Sequence, residues 1–385
     1  MTTRPIRPWS RITAAACTAV LGTAVLAAAP GAAAAPAQPL PTPRTTAPVS
    51  VVGRIEDQTA RSLALALADP ALRAQVRHAA LASRDIDLQR TTAKVDTDGA
   101  KRLTTQLKAA DRDIVLAKGL NPTVGSLLRV RLGAPTMRTA LTAGADPWVL
   151  SAGSSDQAGT LLAYDSQGRA HTVTARRAPT SPIYVVDLDE VKAIRAGLAV
   201  LHQVFAQRGL NSPSSPNQFR VAGGWWATKI DSVWLADDQE PWYKGDAETY
   251  CLVTGFGRDG KVRVDSVDMP WLNNDHTTYY PNQILVNWSQ YKYDLTDVVM
   301  MEGDSDTNYE TIAQAIADAL LAITDQGTYI PLVNAVLNAL PTSWWTDDDD
   351  YVESWYSLAS NSKGRLSGAS GNGWMTVEPY FVKQF

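Results

Sequence analysis

Residues 248–266 read ETYCLVTGFGRDGKVRVDS and give the clearest indication of local structure in the chain. An apolar run over 248–255 leads into the glycine-bounded turn 257–260, and apolar residues then alternate with polar ones over 262–266. Two β-forming runs joined by a short Gly/Asp turn are typical of a β-hairpin. The sequence therefore predicts two neighbouring antiparallel strands.

More strands are predicted on both sides of this hairpin, at residues 225–234, 284–288 and 298–301. One helix is predicted from the capping-box pattern over 307–310, and Ile312, Ile316 and Leu320 follow it at helical spacing. Short strands with turn signals between them are typical of an antiparallel sandwich. We predict a mainly antiparallel β-sandwich with one or two helices over residues 220–385.

The preceding region mixes helical and strand patterns. Asp69-Pro70 predicts a helix start, and a second helical pattern runs over 103–114 and ends near Gly119. A third helix is predicted over 191–205. The predicted strands cover residues 128–132, 148–151, 160–164, 171–174 and 183–186. The fold class is therefore α+β, with a helical and mixed α/β module over 51–210 before the sandwich.

The N-terminus has the pattern of a bacterial secretory signal peptide. Arg4, Arg7 and Arg11 precede the apolar stretch 14–29, and the small residues over 31–37 offer A-x-A cleavage sites. We predict a signal peptide over 1–37, a Pro/Thr-rich linker over 38–50 and a second linker over 211–219. We expect a secreted, extracellular protein. We expect no membrane span after cleavage, because no later stretch reaches the roughly 20 apolar residues required.

Charge and tryptophan separate the two halves. Residues 38–219 hold 22 Lys and Arg against 15 Asp and Glu, whereas residues 220–385 hold 10 against 24. Ten of the twelve tryptophans lie in the second half. An acidic surface repels phosphates, so nucleic acid is not an expected partner. It is compatible with bound cations or with docking onto the basic first half. Cys251 would be the only cysteine left after cleavage, and we expect it to be a buried small hydrophobe.

A cation site is predicted in the loops of the acidic half. Strand 298–301 runs into Glu302, Asp304, Asp306 and Asn308, whose oxygen-bearing side chains alternate along the chain. Ca²⁺ takes six to eight oxygen ligands, so these four could converge on one ion, with Asp237 and Asp238 supplying more. The loop lacks the glycine and closing glutamate of an EF-hand. The alternative is that Asp306 or Thr307 caps the helix, with Glu302 and Asp304 near its positive end.

The tryptophans allow a binding surface as well as a core. Aromatic faces can pack on the C–H faces of pyranose rings, so a platform for a glycan or a cell-surface partner is one hypothesis. The alternative is burial in the sandwich. The doublets are the better surface candidates, because adjacent strand residues point to opposite faces. The set comprises Trp225, Trp226, Trp242, Trp271, Trp288, Trp344 and Trp345.

Catalytic patterns are few. The sequence contains no H-E-x-x-H zinc motif, no G-x-S-x-G motif and no phosphate-binding glycine loop. The alternative to a binding protein is a secreted hydrolase that uses Glu248, Asp268, His276 and Glu302, since paired carboxylates serve glycoside hydrolysis.

Two resemblances accompany this interpretation. Residues 240–250, 277–283 and 301–309 resemble an uncharacterised family of secreted bacterial proteins, a domain of unknown function, which implies export and a shared fold but no catalytic residue. The strand followed by alternating acids resembles the calcium loops of C2-type β-sandwiches, which implies Ca²⁺ binding at Asp237, Asp238 and the 302–308 loop.

Overall fold

The computed structural model describes residues 50–154, 158–211, 223–237, 242–245, 247–303, 307–340 and 351–383. The residues from Ala47 to Phe385 form one compact unit. The predicted signal peptide, nearly all of the first linker and almost all of the linker at 211–219 fall outside the described residues. Those boundaries therefore stay predictions.

Eight α-helices occur in the described residues: α1 (Val51–Ala66), α2 (Pro70–Ala82), α3 (Leu88–Thr92), α4 (Asp98–Ala117), α5 (Arg138–Thr142), α6 (Glu190–Gln207), α7 (Tyr309–Leu321) and α8 (Val333–Ala339). None of them combines the length and the hydropathy needed to cross a membrane. Asp69 caps α2 as expected, because its carboxylate accepts the N–H groups of Ala71 and Leu72.

Fourteen strands occur in the same residues: β1 (Asp85–Asp87), β2 (Leu128–Leu132), β3 (Trp148–Ser151), β4 (Thr160–Tyr164), β5 (Ala170–Thr174), β6 (Ile183–Leu188), β7 (Gly224–Leu235), β8 (Thr249–Phe256), β9 (Val262–Met269), β10 (Gln283–Asn287), β11 (Leu295–Glu302), β12 (Tyr351–Ala359), β13 (Gly364–Ser367) and β14 (Gly373–Lys383). The hairpin predicted from residues 248–266 is β8–β9, with Val253 opposite Asp265.

The first six strands form one sheet in the order β1-β2-β6-β3-β4-β5. Among these strands the pair β3–β6 is parallel, and the other neighbouring pairs are antiparallel. Every residue of β6 is buried because both faces of this sheet are covered. Tyr184 and Val186 face a core shared with α1 and α4. Ile183 and Val185 face a second core that includes Tyr243 from the C-terminal half.

The remaining eight strands form the predicted antiparallel sandwich. An outer sheet has the order β10-β7-β14-β13, and a central sheet has the order β12-β11-β8-β9. Their facing side chains make one core, which contains Val233, Val253, Met300, Trp355 and Val377. Cys251 is buried in this core, and burial raises the pKa of its thiol, so it is the inert small hydrophobe that we expected.

Helices α6, α7 and α8 cover the other face of the central sheet. Phe205, Ile316 and Val336 pack in one core with Leu252 and Val299, and the same core continues into α1 and α4 of the N-terminal half. The fold class predicted from the sequence, α+β with a mainly antiparallel sandwich in the C-terminal half, is confirmed.

Candidate functional site

The sandwich has two ends of different chemistry. At the end that we call the acidic end, β7, β9 and β11 finish and β8, β12 and β14 begin. At the opposite end, β7 begins and β8, β12 and β14 finish, and a cleft of about 430 Å³ opens there. We call it the aromatic cleft. Its lining residues are Trp225, Trp226, Arg258, Trp288, Ser289, Asp294, Ser360, Asn361 and Pro379.

Three tryptophans give the aromatic cleft its apolar surface. Trp226 is the third residue of β7, is 50 % exposed and packs edge-on against Phe381, with 5.3 Å between ring centroids. Trp288 is only 5 % exposed, and its indole Nε1–H donates to the Thr228 hydroxyl at 2.9 Å. Its polar atom is therefore satisfied inside the protein. Trp288 is a fixed part of the cleft, whereas Trp226 offers aromatic surface to a ligand.

Arg258 supplies the positive charge of the aromatic cleft. It lies in the β8–β9 turn, where its Nε–H donates to the Ser289 carbonyl at 3.2 Å and its Nη2–H to the Trp288 carbonyl at 3.1 Å. Burial lowers the pKa of Arg258, and the nearby Asp294 carboxylate acts in the opposite direction. Arginine remains charged in proteins, so the side chain is a cation that also fixes the segment at 288–289.

The remaining polar groups come from short turns. Asp294 precedes β11, and its carbonyl accepts the Ser360 N–H at 3.0 Å, which brings the turn at 360–361 to the rim. The Ser289 hydroxyl donates to Asn287 Oδ1 at 2.7 Å. Among the lining residues, Arg258 and Asp294 are the only charged ones, and there is no histidine or cysteine. The aromatic cleft is thus apolar, hydrogen-bonding and formally neutral, which suits noncovalent binding of an uncharged polar ligand.

The acidic end holds the described part of the predicted cation site. Asp237 follows β7, and Asn372 Nδ2–H donates to the carbonyls of Asp237 and Val352 at 2.9 and 3.2 Å. Tyr351, which precedes Val352 on β12, pairs with Met301, the neighbour of Glu302. Asp237 and Glu302 are therefore at the same end of the sandwich.

The structure tests this site only in part. Asp238, Asp304 and Asp306 lie outside the described residues. In the described part of the chain, no three histidine, cysteine, aspartate or glutamate side chains are grouped to hold a metal ion. The Ca²⁺ site stays a prediction.

Asn308 has structural hydrogen bonds. Its Oδ1 accepts the Thr311 N–H at 2.9 Å, so Asn308 is the N-cap of α7, the position that the sequence analysis gave to Asp306 or Thr307. Its Nδ2–H donates to the Ala117 carbonyl at 2.6 Å. The Tyr309 N–H donates to the Lys118 carbonyl at 3.0 Å, so the start of α7 is joined to the end of α4.

A buried cation, Lys118, lies beside the start of α7. Lys118 has no exposed side-chain surface, its Nζ is 3.8 Å from Glu190 Oε2 and it stands 5.6 Å from the centre of the Tyr309 ring. A buried charge must be paired, and Glu190 and the ring face supply negative potential. Lys118 was not among the residues predicted to be functional from the sequence.

The residues of the hydrolase hypothesis lie near the acidic end, where the Gly303 N–H donates to the Glu248 carbonyl at 3.0 Å, but three of their side chains have different surroundings. Asp268 lies opposite Tyr250 and so faces the helices, where Arg195 Nε is 3.6 Å away. Glu302 follows the helix-facing Met301 along β11 and is 4 % exposed. The His276 ring packs against Trp234 of the outer sheet at 5.7 Å. These three residues have different surroundings, so the geometry does not favour a shared catalytic cleft.

The other tryptophans have structural contacts. Trp242 Nε1–H donates to the Ala175 carbonyl at 2.7 Å, which joins the C-terminal half to the N-terminal sheet. Trp271 Nε1–H donates to Gln283 Oε1 at 2.8 Å. Trp344 and Trp345 lie outside the described residues. Of the tryptophans that the structure describes, the doublet Trp225-Trp226 and Trp288 line the aromatic cleft. All three were named as surface candidates from the sequence, whereas Arg258 was recognised there only as a turn residue.

Comparison with known proteins gives one result. The family model described as "Protein of unknown function (DUF3103)" matches residues 57–385, across both halves of the chain. The resemblance to an uncharacterised family is thereby confirmed. No curated protein and no solved structure gives a significant match.

Proposed function

We propose that the chain, which belongs to the family described as Protein of unknown function (DUF3103), binds a neutral glycan in the aromatic cleft. The carrying observation is the half-exposed Trp226 in a cleft of about 430 Å³ that Arg258 and Asp294 also line. Small-molecule sites have a few hundred Å³, mostly apolar walls and a small number of placed polar groups.

The chemistry of a sugar ring fits these groups. One face of a pyranose is apolar and can pack on an indole ring, while its hydroxyl groups both donate and accept hydrogen bonds. Arg258 donates and Asp294 accepts, and Ser360 and Asn361 can do both. A neutral glycan is preferred because the two charges of the cleft cancel, and because the acidic C-terminal half repels anionic polymers.

Export and a bound cation belong to the same proposal. The arginines, apolar stretch and small residues of 1–37 support secretion, where a glycan or cell-surface partner would be met. The position of Asp237 and Glu302 at one end of the sandwich supports Ca²⁺ at the acidic end, away from the aromatic cleft. The alternative of a secreted hydrolase is less favoured, because the side chains of Asp268, His276 and Glu302 have different surroundings.

A glycan-binding experiment tests the proposal. The mature chain is screened against arrayed neutral and anionic glycans, and the best ligand is measured by titration calorimetry. We expect binding to neutral glycans, and Trp226→Ala should weaken it about tenfold, close to 1.4 kcal/mol. Tyr280→Ala is the matched control, since Tyr280 is 72 % exposed and does not line the cleft. Equal loss in both variants, or binding to anionic glycans alone, would refute the proposal.

A further inference from the structure

A second cleft, unrelated to the glycan proposal, lies in the N-terminal half beside α4. It has a volume of about 390 Å³ and lies between one face of α4 and the segment 122–126. We call it the α4 groove. Lys108, Arg112, Val115 and Leu116 recur at helical spacing, so they share the face of α4 that lines the groove. Pro122 and Ser126 belong to the opposite wall.

One end of the α4 groove is cationic. Lys108 and Arg112 are exposed and one turn apart, and neither makes an ion pair with any part of the chain that the structure describes. The adjacent Asp111 forms no ion pair with either of them in the described residues, because its carboxylate is only 4 % exposed and accepts backbone N–H groups instead. Its Oδ1 accepts the N–H groups of Leu127 and Leu128 at 2.7 and 2.8 Å. Gln89 donates to its other oxygen.

The other end of the α4 groove is apolar. Val115 is buried at 4 % exposure, whereas Leu116 is 67 % exposed and Pro122 is exposed as well. A large aliphatic side chain with two thirds of its surface in water, next to a concave apolar wall, gains from contact with another apolar group. The groove therefore has a charged end and an apolar end along the same helix.

The wall of the α4 groove also contains a hydroxyl group that lacks a partner. Ser126 Oγ is buried, and no hydrogen bond to it is present within the described residues. Its carbonyl is occupied by Lys192 Nζ–H at 2.8 Å, and the preceding Gly125 adopts φ +77°, a left-handed conformation that glycine takes without strain. An unsatisfied buried hydroxyl costs free energy unless something bonds to it. A ligand oxygen in the groove would supply that bond.

We propose that the α4 groove binds a small amphiphile with an anionic head and an aliphatic tail, of the class of medium-chain carboxylates. The head lies between Lys108 and Arg112 and accepts a hydrogen bond from the Ser126 hydroxyl. The tail packs on Val115, Leu116 and Pro122. Lys108 and Leu116 are eight residues apart on the helix, which is about 12 Å at 1.5 Å per residue. That length accommodates a medium chain but not an extended long one.

Octanoate is the probe for this site, used with the full chain below its micellar concentration. We expect saturable binding by titration calorimetry and a rise of several degrees in Tm, because a ligand specific for the folded state stabilises it. The double variant Lys108→Gln/Arg112→Gln should weaken octanoate binding at least tenfold. The matched control removes two charges from the same helix, Lys101→Gln/Arg102→Gln, and should leave the affinity unchanged. Equal weakening by both double variants would overturn the proposal.

Three comparisons separate the head from the tail. Octanol, which has the tail without the charge, and butanoate, which has the charge with a short tail, should each bind at least tenfold more weakly than octanoate. Leu116→Ser should weaken octanoate several-fold and leave butanoate unchanged, and the fold should tolerate it because Leu116 is exposed. Octanol or butanoate binding as tightly as octanoate would overturn the proposal. So would binding only to vesicles of anionic phospholipid, which would make the groove a membrane contact.

Discussion

The two ends of the β-sandwich are built in opposite ways. At the acidic end the predicted cation ligands are close neighbours in sequence, as in Asp237-Asp238 and in the loop from Glu302 to Asn308. At the aromatic cleft they come from five separate segments of the chain. Acidic residues concentrate at one end, whereas the other end combines aromatic surface with one positive and one negative side chain, Arg258 and Asp294. A contiguous motif reveals chemistry in the sequence, whereas a cleft assembled by strand pairing becomes visible only in the fold.

The tryptophans at the two ends also differ. At the acidic end Trp234 and Trp374 are cross-strand partners, with stacked rings 6.3 Å apart. The Arg365 guanidinium lies 4.1 Å from the centre of the Trp374 ring, and His276 packs on Trp234. These indole faces are occupied by protein. At the aromatic cleft Trp226 has an edge-on neighbour and an exposed fraction of one half. Exposed ring surface, rather than the presence of tryptophan, distinguishes the end proposed to bind a ligand from the end where the rings pack on protein.

The largest expected effect comes from a buried carboxylate at the acidic end. Glu353 has no exposed surface, and its oxygens accept the N–H groups of Ser354, Ser370 and Gly373 at 2.8, 2.8 and 2.9 Å. Glu353→Ala would leave the buried N–H groups of Ser354 and Gly373 without partners, so we expect a loss of about 3–5 kcal/mol in the free energy of unfolding. Urea denaturation measures this loss.

The control for Glu353 is Glu378 on β14, which is 38 % exposed and pairs with Lys229 at 2.7 Å. Glu378→Ala should cost less than about 1 kcal/mol. Below its unfolding transition, Glu353→Ala should still bind the glycan, because it alters the acidic end and not the cleft. If glycan affinity falls in step with stability, the two ends are not independent.

The second effect concerns the cation proposed at the acidic end. Saturating Ca²⁺ at about 100 times Kd should add about 2.7 kcal/mol to the free energy of unfolding, and chelator should remove it. The measurement is Tm with Ca²⁺, with Mg²⁺ and with chelator. Glu302→Gln should reduce the Ca²⁺-dependent shift, whereas Trp226→Ala should leave it intact. A Tm that is the same in Ca²⁺ and in chelator would exclude the site.

The sequence predicted some strands of the sandwich and not others, for physical reasons. The hairpin β8–β9 and the strand β11 were predicted because their apolar patterns are local. Strands β12, β13 and β14 were not, because they contain polar and aromatic residues whose role depends on cross-strand partners. The first helix, α1, was also not predicted.

The aromatic cleft could not be predicted, because two of the strands that were not predicted contribute to it. Pro379 is on β14, and Ser360 follows β12, so the cleft could not be assembled without them. Arg258 shows what a sequence pattern can and cannot predict. The glycines at 257 and 260 predicted its turn, but no pattern predicted its hydrogen bonds to the carbonyls of residues 288 and 289. Pairing of distant segments determines that contact, and a single sequence carries no local pattern for it.

The third effect concerns that arginine. Arg258→Met removes two charge-assisted hydrogen bonds from the walls of the cleft, so we expect a loss of about 2 kcal/mol in stability and a weaker glycan complex. Arg258→Lys is the comparison, because an ammonium group keeps the charge but lacks the planar fork that reaches two carbonyls. Calorimetry and urea denaturation of both variants measure the two losses. If Arg258→Met binds glycan as tightly as the unaltered chain, Arg258 does not belong to the binding site.

The smallest effect comes from the stacked rings at the acidic end. Arg365→Ala removes the guanidinium from Trp374, and because Arg365 is exposed the cost should be about 0.5–1 kcal/mol in stability. Arg365→Lys should recover part of it by keeping a cation near the ring. Glycan affinity should be unchanged in both variants, since Arg365 and Trp374 do not line the aromatic cleft. A fall in glycan affinity as large as that of Trp226→Ala would place the binding surface on these rings and reverse the roles of the two ends.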